Sequence, residues 1–253
     1  MNLGERELNI IAVLLFLIFI VTKISIFGFI ATLILIYATI YPSFKRGIKH
    51  GIIDLLQSII FAVVVLFLLG IFLQTSAPLD VNVSCSMRPA MERGDLIVLR
   101  GFESNNLPTI ELANYSDWRK INVLKRPCNV TIAGKRILRI CSYAIEYNGT
   151  TIYENHSNPV IIYEPKETDY FAATGSIVHR VFALLISDGK RYVLTKGDNN
   201  IMLDQEAGNE PVSLDRIKGQ IVFQIPYLGY VKLFAFGQIE PPPECEIVIE
   251  EQK

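Results

Sequence analysis

Hydrophobic and polar positions follow two different rhythms along this chain. Residues 9–41 are almost continuously apolar, with Lys23 near the middle, and residues 52–73 form a second apolar run. At about 1.5 Å per residue, one straight helix over 9–41 would overshoot a hydrocarbon core of ~30 Å by more than half. The pattern therefore predicts two short membrane helices, about 9–22 and 24–41, turning near Thr22 and Ser25, in preference to one long tilted helix that buries Lys23. The run 52–73 predicts a third helix, with Asp54, Gln57 and Ser58 confined to its first turns. A cleavable signal peptide fits poorly, because the first apolar region is too long and no small-residue cleavage site follows it.

Beyond residue 74 the period shortens. Val81 and Val83 alternate with Asn82 and Ser84, the pattern breaks at Met87-Arg88-Pro89, and an apolar strand resumes at Leu96 after Gly94-Asp95. Alternation, a proline break and a Gly-Asp turn predict strand, turn, strand, with Ser86 at the end of the first strand. Residues 101–175, rich in Asn, Tyr and Ser, predict a loop-rich insertion with short strands near 135–140 and 151–153. A hairpin follows, 176–184 and 191–195 around Ser187-Asp188-Gly189-Lys190, then a tight turn at Lys196-Gly197-Asp198-Asn199-Asn200. The chain closes with 219–223 and an expected strand pair around Pro226-Tyr227-Leu228-Gly229. The fold class expected is a membrane-anchored, mainly-β protein: a membrane region at 1–74, then an antiparallel β domain at 75–253 carrying the insertion at about 101–175.

Charge orients this arrangement. The hydrophobic fraction is 51%, and the apolar excess lies in the first 74 residues, where five basic residues face three acidic ones; the remainder carries nineteen basic and twenty-two acidic residues. No basic stripe suggests nucleic acid. The cluster Lys45, Arg46 and Lys49 between apolar segments marks residues 42–50 as a cytoplasmic loop, so 52–73 runs outward and everything after Gln74 is external. Asn-x-Ser/Thr triplets at Asn114, Asn129, Asn148 and Asn155, with another at Asn82, agree with an external glycosylated surface. Of four cysteines, Cys85 adjoins Ser86, Cys245 lies in the tail, and Cys128 and Cys141 flank a hairpin turn at Ala133-Gly134-Lys135, where an external disulfide between them is an open option. With three histidines and no Cys/His spacing of the ligating kind, the sequence gives no case for a metal or other cofactor.

Ser84, Ser86, His179, Asp198 and Asp204 each have an ordinary reading as strand-end, core or turn residues. Their joint order does not. Ser84-Cys85-Ser86-Met87-Arg88-Pro89 with Gly94-Asp95 resembles the nucleophile box of the type I signal peptidases, membrane-bound serine proteases that remove signal peptides. Ile177-Val178-His179-Arg180 is similar to the base-bearing box, Thr195-Lys196-Gly197-Asp198-Asn199-Asn200 with Asp204 to the acidic box, and Gly219 with Ile225-Pro226-Tyr227-Leu228-Gly229-Tyr230 to the closing strand. Histidine where bacterial members have lysine points to the archaeal and endoplasmic-reticulum branch. The doubled N-terminal helix and the 93-residue interval from Ser86 to His179 depart from that branch, where a single anchor is usual.

The resemblance implies Ser86 as nucleophile, His179 as base, and Asp204, with Asp198 next in line, as the carboxylate that fixes the imidazole tautomer. It implies an oxyanion site from the Ser86 amide and the Ser84 hydroxyl. Expected partners are preprotein signal peptides, the lipid membrane and the secretion translocon, with the catalytic domain on the outer face of the cell membrane. The alternatives are a non-catalytic surface glycoprotein derived from a peptidase fold, and a Ser–Lys peptidase using Lys196 or Lys190.

Overall fold

The structure, a computed structural model, describes residues 5–250. Three helices lead: α1 (Glu5–Thr22), α2 (Ser25–Lys45) and α3 (Ile48–Leu73). Among the described residues, α2 and α3 are long and apolar enough to cross a membrane. Lys23 separates α1 from α2 in a left-handed conformation (φ 59°), and its Nζ lies 3.8 Å from the centroid of the Tyr227 ring. A charge that would be costly inside one long apolar helix is thereby placed against an aromatic face. The expected basic loop at 42–50 is corrected. Helix α2 continues through Pro42 to Lys45 and α3 begins at Ile48, so only Arg46 and Gly47 intervene. Gly47, at φ 121°, makes the reversal that other residues resist, and Arg46 Nη2 pairs with Asp54 Oδ2 at 2.6 Å across it.

The β region comprises β1 (Leu79–Val81), β2 (Leu96–Arg100), β3 (Thr109–Glu111), β4 (Asn122–Ile132), β5 (Lys135–Tyr147), β6 (Thr150–Tyr153), β7 (Val160–Tyr163), β8 (Ile177–Ser187), β9 (Lys190–Lys196), β10 (Val212–Ser213), β11 (Ile217–Ile225) and β12 (Ile247–Glu250). A short helix, α4 (Tyr230–Ala235), stands between the last two. The larger sheet runs β1-β2-β11-β7-β8-β9-β10, with β3 added in parallel beside β8; the other ladders are antiparallel. A second sheet runs β12-β4-β5-β6. This is the antiparallel, sheet-rich domain behind apolar helices that the sequence predicts. Tight two-residue turns join β4 to β5 at Ala133-Gly134, β5 to β6 at Asn148-Gly149 and β8 to β9 at Asp188-Gly189, each pair at positive φ as right-twisted hairpins require.

Three expectations change. Segment 101–175 is not predominantly loop: it holds the long ladder β4–β5 and also β7, a central strand of the larger sheet whose four residues are all buried. The strand containing Val81 ends there, so Ser86 lies in the turn-rich segment before β2 and not at a strand end. After Ile225 the chain turns into α4 instead of pairing as strands. The cause is a contact with α1 and α2. The Phe19 ring meets Tyr230 at 4.7 Å and Phe234 at 5.3 Å, both edge-on, and Gly28 of α2 admits Phe234 where a Cβ would lie 2.2 Å from its ring. Burying two aromatic rings contributes several kcal/mol, about 1.5–3 each, enough to decide the conformation of six residues. Disulfides join Cys128 to Cys141, across β4 and β5, and Cys85 to Cys245.

Candidate active site

His179 projects from β8, paired with Ile161 of β7 on one side. Two residues along, Val181 faces Thr195 of β9 on the other, which puts Thr195 on the same face of the sheet as His179. After β9 the chain turns back, and the Asp204 N–H donates to Thr195 O at 2.9 Å. That backbone bond brings the Asp204 carboxylate under His179. Nδ1 and Oδ2 stand 2.7 Å apart, with His179 4% and Asp204 1% exposed. The same Oδ2 accepts from Thr195 Oγ1 at 2.6 Å and from Tyr163 Oη at 2.8 Å, while Oδ1 is buried without a partner. Burial, then the adjacent Asp204 charge, pushes the Tyr163 phenol far above its usual range, so it remains a donor. Three partners on one oxygen fix the orientation of the carboxylate.

Ser86 and Ser84 touch: their Oγ atoms are 3.0 Å apart. The loop carrying them is held from both ends. Burial raises the pKa of Asp95, against the N–H groups of Glu92 and Tyr227 that donate to its carboxylate at 2.9 and 3.3 Å. Asn82 donates to Glu92 O at 3.0 Å and is itself fully buried, so the triplet at Asn82 is not a glycan acceptor in this fold, whereas Asn114, Asn148 and Asn155 are exposed. At the site end, Asn199 N–H donates to Ser86 O at 2.7 Å, and Gly197 sits so close that a Cβ there would lie 2.7 Å from the same oxygen. The next residue, Asn200, places Nδ2 3.4 Å from His179 Nε2. The turn 197–200 thus holds the serine loop with one residue and borders the imidazole with another. A donor beside Nε2 and a carboxylate at Nδ1 fit the tautomer with its proton on Nδ1 and a lone pair on Nε2.

Asp198 stands apart. Arg180 grips it with Nε and Nη2 at 2.8 and 2.6 Å, and also donates from Nη1 to Asn158 O at 2.6 Å. Lys196 Nζ is engaged with Glu154 Oε1 at 2.7 Å, and Lys190 is exposed at a hairpin turn, so neither points to a Ser–Lys arrangement. An apolar cavity of about 360 Å³ opens beside Asp204 and Asn200, bordered by Val130, Ile132, Phe171 and Ile247. Sequence reasoning did not identify Tyr163, Thr195 or Asn199 as site residues. Thr195 heads the acidic box and Asn199 lies within it, but Tyr163 belongs to an apolar run that reads as core. Among the described residues no group of His, Cys, Asp and Glu is arranged to hold a metal.

No family model matches the chain. It is 24% identical over 168 residues to signal peptidase complex catalytic subunits of Sclerotinia sclerotiorum and Verticillium alfalfae, covering 65% of this chain and 67% of each relative. It is 29% identical over 180 residues to an uncharacterised protein of Methanocaldococcus jannaschii, covering 61% of this chain and 82% of that one. These likenesses, weak in identity but spanning about two thirds of the chain, support a signal peptidase family.

Proposed function

We propose that this protein is a membrane-anchored serine endopeptidase that removes signal peptides from secretory and membrane preproteins, cutting after small residues at the outer membrane face. The observation that carries the proposal is the turn 197–200, which bonds the Ser86 carbonyl through Asn199 and borders His179 Nε2 through Asn200. On this reading Ser86 Oγ attacks the scissile carbonyl and His179 Nε2 takes its proton. The imidazolium is stabilised by Asp204 and later returns the proton to the leaving amine. The Ser86 N–H and the Ser84 hydroxyl stabilise the oxyanion. Residues 1–74 anchor the enzyme, and 75–253 work outside the membrane. Phe19 and Phe234 in contact support a catalytic domain seated directly on the helices, at the level where a signal peptide leaves the bilayer. A non-catalytic glycoprotein is not favoured, because the similar proteins are catalytic subunits.

The test is cleavage of a precursor bearing an Ala-x-Ala site by the full chain in vesicles. Mature product is expected from wild type and not from Ser86→Ala; wild-type cleavage by Ser86→Ala would overturn the assignment.

A further inference from the structure

The segment after α4 passes from the membrane-docked end of the domain to the second sheet, and on the way it crosses the serine loop. Cys245 is joined to Cys85, the residue before Ser86, and Arg88 Nη1 donates to Cys245 O at 2.9 Å. Two residues on, β12 begins and pairs with β4, Ile247 opposite Ile132. Asn199 ties these pieces together. Its Nδ2 donates to Ile247 O at 2.7 Å and to Cys85 O at 3.2 Å, its Oδ1 accepts from Ile249 N–H at 2.8 Å, and its own N–H holds Ser86 O. All three of these side-chain bonds of buried Asn199 go to either the serine loop or the C-terminal segment. Between β1 and β2 the serine loop has no strand of its own. Its position near His179 depends on what is tied to it.

We infer that the C-terminal segment is a positioning element of the active site, latched to the serine loop by the Cys85–Cys245 disulfide and the Asn199 side chain. The inference rests on the proposed role of Ser86. Fixing a nucleophile relative to its base acts on the chemical step, and the latch holds the loop through the Cys85 side chain and the carbonyls of Cys85 and Ser86, leaving Ser86 Oγ to the substrate. Opening the latch leaves Ser86 and His179 chemically intact while widening the range of distances between them.

The experiment uses the full chain with Cys128→Ser and Cys141→Ser, so that Cys85–Cys245 is the one disulfide left. A dithiol then supplies two electrons and two protons, opens the Cys85–Cys245 bond to two thiols and leaves as its own cyclic disulfide. Precursor cleavage and labelling of Ser86 by a serine-directed phosphonate are followed before reduction, after it, and after reoxidation. The expected result is a fall in kcat of about 10–100-fold on reduction, with KM within about twofold and recovery on reoxidation. Asn199→Ala in the wild-type chain should give the same kcat-against-KM split without reductant. If the serine background does not fold, the paired change Cys85→Ala with Cys245→Ser in the wild-type chain is compared with wild type instead. Unchanged kcat in the opened chain and in Asn199→Ala overturns the inference while leaving the peptidase reading standing. A wild-type chain that neither cleaves nor labels removes that reading and the inference with it.

Discussion

Replacing Asp204 by Asn should nearly abolish precursor cleavage, and the structure sets the size of the effect. Proton transfer from Ser86 creates an imidazolium whose Nδ1 lies 2.7 Å from Asp204 Oδ2, both groups being almost fully buried. Charge centres about 4 Å apart attract by about 4 kcal/mol at an effective dielectric near 20, about three decades in rate. An amide at 204 also loses control of the tautomer, which brings the expected fall in kcat to about 10⁴-fold. Its NH₂ group must face either the hydroxyls of Tyr163 and Thr195 or the partnerless site now occupied by Oδ1, so some stability is lost too, about 1–3 kcal/mol. Asp198→Asn is the contrast. It breaks the two-pronged pair with Arg180, at 12% and 3% side-chain exposure, and should cost about 3–5 kcal/mol of stability. Yet Asp198 makes no bond to His179 among the described residues, so the folded variant should keep activity within about 10–100-fold of wild type. Initial rates at saturating precursor, measured below the melting temperature of each variant, decide the ranking. A folded Asp198→Asn slower than Asp204→Asn, or an Asp204→Asn retaining more than about one-tenth of the rate, would refute the assignment of the orienting carboxylate.

Two further outcomes are expected. Burial pushes the Glu206 carboxyl up, but Lys125, the Ser142 hydroxyl and the Leu203 N–H outweigh it and hold the group below its ordinary 4.5; its stabilising effect is therefore present above pH 4.5 and lost as pH falls through the lowered value, so thermal melts of Glu206→Gln should show a flatter acid limb than wild type. On the proposed topology the basic residues around Gly47 put the α2–α3 turn inside, so a thiol introduced at exposed His50 (His50→Cys), which leaves Gly47 in place, should react with an impermeant reagent only from the cytoplasmic side, while protease added to right-side-out vesicles attacks the β domain; the opposite pattern would reverse the topology.

Features set by neighbouring residues were legible in the sequence, and features set by distant contacts were not. The β8–β9 hairpin is readable because Asp188-Gly189 supplies two positive φ angles between alternating strands. The ladder β4–β5 is not, because β4 carries Lys125, Arg126 and Pro127 on exposed positions and buries only Cys128 and Val130, which erases the period of two. Helix α4 has six residues, too few to display a helical period, and takes its shape from Phe19 and Gly28 more than 200 residues earlier. In the site, the serine, histidine and aspartates stand in recognisable local words. Tyr163 does not, since nothing in Val-Ile-Ile-Tyr indicates that its hydroxyl will meet a carboxylate 41 residues on. Nor does Cys85 disclose a partner 160 residues away.

This division also accounts for an ordered site in a chain only 24% identical to its fungal relatives over the matched region. On the proposed reading, three chemical groups cannot be exchanged: a hydroxyl, an imidazole and a carboxylate. Much of what sets them in place is backbone. Asn199 N–H holds Ser86 O, Asp204 N–H holds Thr195 O, and the ladders of β7, β8 and β9 fix the distance between His179 and its neighbours. Backbone bonds of this kind tolerate extensive change in the side chains around them, provided volume and patterning are kept. Two side chains add to the frame, Tyr163 through its hydroxyl to Asp204 and Asn199 through its amide group to the loop carrying Ser86. The same frame accepts additions at its edges. The second sheet reaches the site through Glu206, which takes the Leu203 N–H and the Ser142 hydroxyl at 2.9 and 2.6 Å, and the C-terminal strand reaches it through Asn199. Both attach beside Ser86, His179 and Asp204 without replacing any of them, so on the proposed reading the chain can carry these additions and keep its serine, histidine and aspartate in place.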